Sequence, residues 1–266
     1  MVKGFIKKII GKKKYNYLID LKLKKNALFN YGNKYECPVC SSNVRRFLPG
    51  GLDVEIIRKL QIVGAGRFDN QICPVCKSFN RDRLLILFLR RKTDIFKKKL
   101  KLLHIAPEKG IQRIFKISNN IDYLSADLDS SLADIKMDIT DINFPENSFD
   151  IVICNHVLEH IPEDMKAMSE IRRIIRPNGW AILQVPISYV LKNTYEDFSI
   201  LDPKEREEHF GQNDHVRIYA IDYLDRLRAS GLDVTSVETG EYLTDEEISR
   251  FGVIGEEKIF FCTVVK

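Results

Sequence analysis

Short apolar runs alternate with amphipathic stretches along the last 165 residues of the chain. The runs at 102–106, 121–126, 149–154, 180–185, 234–238 and 259–265 are rich in Ile, Val, Leu and Phe and have the length of buried strands. Between them, residues 162–175 read as a helix. Pro162 takes the first helical position and Glu163 and Asp164 the first turn; Met165, Met168, Ile171 and Ile175 form an apolar stripe. Arg172, Arg173 and Arg176 crowd its end, where they oppose the helix dipole, and Pro177-Asn178-Gly179 stops it. A second helix, 220–230, stops at Gly231. Strands alternating with helices predict an α/β fold: a doubly wound, mostly parallel sheet covered on both faces. Upstream, residues 81–91 read as a helix packed on its Leu/Ile/Phe face, followed by a charged connector at 97–101.

Composition narrows the class. The 266 residues allow just under two domains at about 150 residues each. With 44% hydrophobic and 30% charged residues, a packed core is expected and wholesale disorder is not. The longest purely apolar run, 84–89, has six residues, against the roughly 20 that a membrane-spanning helix needs. Lysines break up the first apolar residues, so no secretory signal is read and a cytoplasmic setting is expected. The net charge of +5 is uneven: residues 1–25 hold nine lysines against Asp20, which leaves the remainder mildly acidic. A basic arm and lead-in over 1–36 is therefore expected, either solvated or in weak contact with a membrane surface through residues 1–25. The acidic remainder counts against a general nucleic-acid groove. The oligomeric state is not legible.

Two matching pieces, Cys37-Pro-Val-Cys40 and Cys73-Pro-Val-Cys76, flank an insertion of 32 residues. Both thiolates of a C-x-x-C turn can face one ion, so two turns supply a closed tetrahedral set. Structural Zn2+ on Cys37, Cys40, Cys73 and Cys76 is the expectation, with disulfides or a redox pair as alternatives. A zinc-ribbon-like module with its linking helix is placed at 37–100. Cys154 and Cys262 fall in apolar strand patterns and read as core.

Doubly wound sheets bind ligands outside the carboxyl ends of their strands. There the sequence offers Phe144-Pro145, Ser148-Phe149-Asp150 and Leu158-Glu159-His160, followed by an arginine-rich helix and Arg176-Pro177-Asn178-Gly179-Trp180. This run resembles the class I S-adenosylmethionine-dependent methyltransferases, in particular a small-molecule branch with an "LPF…SFD-V…LEH" signature. The resemblance implies a Rossmann-like methyltransferase domain over 101–266 with S-adenosyl-L-methionine as cofactor. It puts the loop along the methionine moiety at His104, Ala106, Glu108 and Gly110, and the ribose acid at Asp127, with Asp129 as runner-up. Asp138 and Ile139 would face the adenine, and Asn155 and His156 would lie under the sulfonium. Two departures stand out. Where the family has an acid and Gly-x-Gly-x-Gly, only Gly110 remains. The short spacing between Asp127 and Ile135 also shrinks the intervening helix to a turn.

Residues 187–218 are long for a connection and carry aromatics and charges, so a substrate-cap insertion is expected. Tyr189, Asp214 and Arg217 are candidate substrate contacts, Arg217 for an acceptor anion. His215, His209 and His156 are candidate general bases, because imidazole titrates near neutrality and methyl transfer to a hydroxyl needs a proton acceptor. The expected function is methyl transfer to a small molecule. Proteins with a zinc-ribbon front and this body resemble enzymes of surface-polysaccharide modification, which suggests a sugar- or phosphate-bearing metabolite. An RNA methyltransferase and a catalytically inactive scaffold are the alternatives; the lost glycines motivate the second.

Overall fold

The computed structural model describes residues 25–264 and Leu21. Most of the basic arm at 1–25 lies outside the described residues. In the N-terminal module, Tyr31–Cys37 pairs antiparallel with Ser42–Val44, and Leu48–Gly50 pairs antiparallel with Phe68–Ile72. A short helix, α1 (Glu55–Lys59), sits in the insertion between the two cysteine pairs.

Helix α2 (Asn80–Lys92) follows. Leu84 to Leu89 are all buried, because this helix packs onto the sheet among Leu102, Ile151, Ile153 and Ile182. The stretch expected to act as a linker is thus part of the sheet's covering layer.

The central sheet has seven strands, labelled here β1 (Leu100–Ile105), β2 (Ile121–Asp127), β3 (Ile135–Lys136), β4 (Phe149–Asn155), β5 (Ile175–Gln184), β6 (Asp233–Val237) and β7 (Ile259–Thr263). Their order is β6-β7-β5-β4-β1-β2-β3. The first five are parallel neighbours; β7 runs antiparallel between β5 and β6. Strand β4 shows why the chain folds this way: Val152 and Cys154 enter one apolar layer while Ile151 and Ile153 enter the other. Both faces are buried, as a continuous apolar run requires. Helices α3 (Lys109–Ile117) and α2 cover one face; α4 (Asp164–Ile174) and α6 (Tyr223–Ala229) cover the other. Between β2 and β3 the chain makes only turns, as the short spacing required. No helix of the described residues is long and apolar enough to cross a membrane.

One expected boundary moves. Strand β5 already begins at Ile175 and carries Pro177-Asn178-Gly179 as a register shift against β4, instead of starting at Trp180. Asn178 takes a φ of 65°, and a Cβ at Gly179 would stand 2.6 Å from the Asp150 carbonyl. Glycine is needed there for close approach between strands.

The order of strands reverses between β1 and β4, so their carboxyl ends open a crevice. The connection after β5 folds over it. Ile187–Ser188 pairs with Ile62–Val63 of the N-terminal module, and Tyr195–Glu196 pairs with Arg217–Ile218. Helix α5 (Pro203–Phe210) is capped by Asp202, whose side chain accepts from the Lys204 and Glu205 amides. Gly211 ends it at φ 85°, where a Cβ would lie 2.8 Å from Ile57 of α1. Cap and insertion thus close on one another through a small cluster of Ile57, Ile62, Phe210 and Ile218. The final helix, α7 (Asp245–Phe251), packs against Tyr31–Cys37.

Candidate active site

The four cysteines come together as the spacing predicted. Sγ of Cys37 lies 3.7 Å from that of Cys76, and Sγ of Cys40 lies 3.9 Å from that of Cys73. Thiolates about 2.3 Å from a tetrahedral zinc stand roughly 3.8 Å apart, so the set has the right size for the ion. Each turn closes alike: the Ser41 amide donates to the Cys37 carbonyl and the Lys77 amide to that of Cys73, with Ser41 and Lys77 at φ 57° and 68°. The Ser78 hydroxyl lies 3.1 Å from Cys76 Sγ and 3.4 Å from Cys37 Sγ. Cys154 and Cys262 are buried in the core. Val39 of the first turn rests on Gly110 at the start of α3, where an added Cβ would sit 3.0 Å away. The cysteine module therefore presses directly on the loop after β1.

That loop is built on side chains instead of glycines. Ala106 adopts φ 49°, a conformation usually left to glycine. His104, fully buried, lies 2.8 Å from Glu108 Oε2 through Nε2 and 3.1 Å from the Tyr123 hydroxyl through Nδ1. Asn155 at the end of β4 donates to Glu108 Oε1 at 3.1 Å. Glu108 is held below the usual carboxylate range: the His104 imidazole outweighs its burial.

Around Glu108 runs a narrow cleft lined by Arg81, Asp82, Asn155, His156, Gln184 and Glu257. Five polar atoms on it are buried with no hydrogen-bond partner among the described residues: Arg81 Nε, Asp82 Oδ1, Asn155 Oδ1, His156 Nε2 and Glu257 Oε2. Orphaned buried polar atoms are costly and need an explanation. One cation facing several acceptors complements a zwitterion such as an amino-acid head group. Burial pushes the carboxyls of Asp82 and Glu257 up to about 7.

Glu257 yields a stability prediction. Below about pH 4.5 it is neutral folded and unfolded; between 4.5 and 7 only the unfolded chain ionises, so stability falls as pH rises through this window. Glu257→Gln removes a penalty of roughly 3 kcal/mol above pH 7 and changes little at pH 4. Urea unfolding at the two pH values checks this; an equal effect at both would contradict it.

Asp127 ends β2, and its Oδ1 accepts from the Asp129 and Ser130 amides. Asp129 is exposed and 3.5 Å from Lys136. Asp138 accepts from Thr140 in a turn, and Ile139 is buried beside it.

Beside the narrow cleft opens a cavity of about 280 Å3. Its walls come from three places: the insertion between the cysteine pairs (Gly51, Leu52, Gly64 to Gly66, Gln71), the segment after β4 (His156, Glu159, His160) and the cap (Phe210 to Gln212, His215, Ile218). His156 and Arg81 line both spaces. His156 takes φ 54°, and its Nδ1 lies 3.4 Å from Glu159 Oε1. Burial and the neighbouring Arg81 lower the His156 pKa, keeping the ring neutral; burial likewise lowers that of His215. Glu159, almost fully buried, is held ionised at about 2 because the imidazoles of His156, His215 and His160 outweigh its burial.

Three sequence expectations do not fit this geometry. His209 is exposed on α5 and bonds the Tyr195 hydroxyl at 2.8 Å, apart from the residues lining the cavity. Tyr189 packs under the Lys258 ammonium instead of lining the cavity. Arg217 reaches the wall but is fully committed: it donates to the carbonyls of Leu158, Ile161 and Pro162 and to Glu196, at 1% exposure. It has no hand free for an acceptor anion. Asp214 stands at the rim, with Oδ2 3.4 Å from His160 Nδ1. Sequence reading missed Arg81, Asp82, Glu159, His160 and Glu257. The only signals were charged residues in the first turn of an otherwise leucine-rich helix and the LEH triplet itself.

Residues 109–183 match the family model described as a methyltransferase domain. These residues carry the pattern of a methyltransferase domain. Over 64 residues the chain is 39% identical to an uncharacterized protein of Methanocaldococcus jannaschii, covering 23% of this chain and 28% of that protein. Over 62 residues it is 32% identical to a reducing polyketide synthase of Preussia isomera, covering 23% of this chain and 3% of that protein. The chain thus spans under a third of either curated relative. Among solved structures, the methyltransferase fold is similar to Haemonchus contortus phosphoethanolamine N-methyltransferase 2 in complex with S-adenosyl-L-methionine, at 15% identity and TM-score 0.47, over 70% of this chain and 53% of that one. It is similar also to Burkholderia thailandensis 1,6-didemethyltoxoflavin-N1-methyltransferase, at 13% identity and TM-score 0.43, over 70% and 78%.

Proposed function

We propose that this protein transfers a methyl group from S-adenosylmethionine to an oxygen of a small polar acceptor, with His156 as proton acceptor. The observation that carries the reading is the row of five orphaned polar atoms in the narrow cleft, which ends at His156 on the border of the larger cavity. Arg81 suits the cofactor's carboxylate, and Asp82, Glu257 and Asn155 Oδ1 suit its ammonium. Asp127 or Asp129 would take the ribose hydroxyls and Asp138 with Ile139 the adenine; His104, Ala106 and Gly110 shape the loop beneath. When bound, S-adenosylmethionine supplies an electrophilic methyl on a sulfonium. The chain's own task is to line up the acceptor and accept its proton at His156 Nε2, while Glu159 orients the ring through Nδ1.

Four zinc-bound cysteines would hold the module at 37–100 against the catalytic domain at 101–266, with 187–218 as cap. The cavity of about 280 Å3 is at the small end for ligand pockets, which favours a metabolite over an RNA strand. A sugar- or phosphate-bearing metabolite of surface-glycan biosynthesis remains the proposed class. Any anion on it would look to Arg81, since Arg217 is occupied.

Calorimetric titration of the zinc-loaded protein with S-adenosylmethionine and S-adenosylhomocysteine tests the reading. Binding should weaken about 10- to 100-fold in Arg81→Ala, as loss of a charged hydrogen bond implies, and weaken also in Asp127→Ala. If the folded wild-type protein binds neither compound, the enzyme reading fails and the inactive-scaffold alternative takes its place.

A further inference from the structure

The cavity floor carries a second set of chemistry-bearing groups, of which the methyl-transfer reading uses only one oxygen of Glu159, to orient His156. Glu159, His160 and His215 each offer a ligand atom, and these atoms lie within 4.8 Å of one another. They come from two segments: Glu159 and His160 from the short 3-10 turn Leu158–His160, and His215 from the cap. The turn is fixed from below, where Arg217 ties the carbonyls of Leu158, Ile161 and Pro162, and the Val216 amide donates to the Glu159 carbonyl. The rings of His160 and His215 meet edge to face with centroids 4.6 Å apart.

Two observations point to a ligand here. Glu159 Oε2 is buried without a partner among the described residues, in a residue 1% exposed that lines the cavity. Both imidazoles also have a carbonyl at Nδ1: Phe210 at 3.3 Å from His215 and Asp214 at 3.3 Å from His160. A ring that donates Nδ1–H to a carbonyl keeps the lone pair on Nε2, the arrangement that orients metal-binding histidines. The Asp214 carboxylate lies close by, with Oδ2 3.4 Å from His160 Nδ1.

We propose that Glu159, His160 and His215 bind one divalent first-row transition-metal ion at the floor of the cavity. Two imidazoles and one carboxylate leave coordination positions open, and the surrounding space is the cavity itself. This site is separate from the four cysteines, which form a closed set with no open position. An ion here would hold an oxygen of the acceptor close to His156. That last clause rests on the methyl-transfer reading; the binding of the ion does not.

The test uses Co2+ on the full chain with its cysteine site loaded with zinc. The expected result is one further Co2+ per chain, with a visible spectrum of nitrogen and oxygen ligation and no sulfur-to-cobalt charge-transfer band. Glu159→Gln and His160→Gln, checked for unchanged circular dichroism, should each weaken uptake at least about 100-fold, beyond what removing an outer-shell partner does. No Co2+ taken up by the zinc-loaded wild-type protein would overturn the proposal, as would uptake that both variants retain. S-adenosylmethionine titration without added metal is read independently, so a failure of the metal site and a failure of the methyl-transfer reading are distinguishable.

Discussion

Stripping the zinc proposed at Cys37, Cys40, Cys73 and Cys76 is expected to unfold the N-terminal module and to abolish cofactor binding together with it. The module has little apolar core of its own. Its short strands are three to seven residues long, and its buried side chains (Cys37, Val39, Val44, Phe47, Cys73) merge with the layer formed by α2 and α7. Binding of the proposed zinc would therefore supply folding free energy, about 10 kcal/mol or more for structural zinc in small modules. The loss reaches the active site along two contacts. Val39 rests on Gly110 beneath the loop after β1, and the insertion from Gly51 to Gln71 walls the cavity. Charge balance points the same way. Four thiolates on zinc carry a net negative charge; the nearby Arg83 is fully buried, and Arg90 donates to the Pro38 carbonyl at 2.8 Å. Metal analysis, circular dichroism and S-adenosylmethionine titration before and after chelation measure the effect, with Cys40→Ser as the genetic equivalent. Undiminished cofactor binding by metal-free protein would disprove the coupling.

Replacing Arg217 by methionine is expected to cost about 3–5 kcal/mol, the range for removing one partner from a buried charged network. The guanidinium bonds three carbonyls on the turn that carries Glu159 and His160 and meets Glu196 at 2.8 Å. Asp164, 3% exposed, lies 3.7 Å away and is bridged in turn to Arg226 at 2.6 Å and to the Tyr219 hydroxyl at 2.7 Å. Methionine fills the volume yet takes the Arg217 donor from the Ile161 and Pro162 carbonyls and leaves one cation fewer between two acids. The Leu158 carbonyl keeps the Ile161 amide and the Tyr219 hydroxyl. Arg217→Lys keeps the charge but cannot serve a fork of carbonyls, so it should recover only a minor part of the loss. Thermal unfolding should show a fall of roughly 10 °C for Arg217→Met, at about 2–4 °C per kcal/mol in a chain of this size. A melting temperature within a degree or so of wild type would refute the structural role.

The sheet was legible because its strands are buried on both faces and stand out as apolar runs, and the cysteine cluster because identical turns repeat. The cavity was much less so. Arg81, Glu257 and His156 are separated by tens to more than a hundred residues, and only the topology sets them around one cleft. Arg217 misled for a related reason: nothing in a local pattern tells whether a guanidinium points outward to a ligand or inward to backbone carbonyls. His209 and His215 sit on one short stretch, yet the helix end at Gly211 sends one to solvent and the other to the floor. Pro177-Asn178-Gly179 read as a stop, whereas tertiary pairing with β4 carries a strand straight through it.

The insertion that walls the cavity starts and ends at the cysteine turns, 32 residues that the proposed zinc would pin at both roots. A segment closed in this way can change length at little thermodynamic cost, since each doubling adds only about 0.6 kcal/mol of closure entropy. Its sequence can drift while the strands that carry Asp127, Asn155 and His156 stay as they are. Acceptor choice would then be interchangeable: swapping residues 41–72 between such chains should transplant substrate preference and leave the reaction in place.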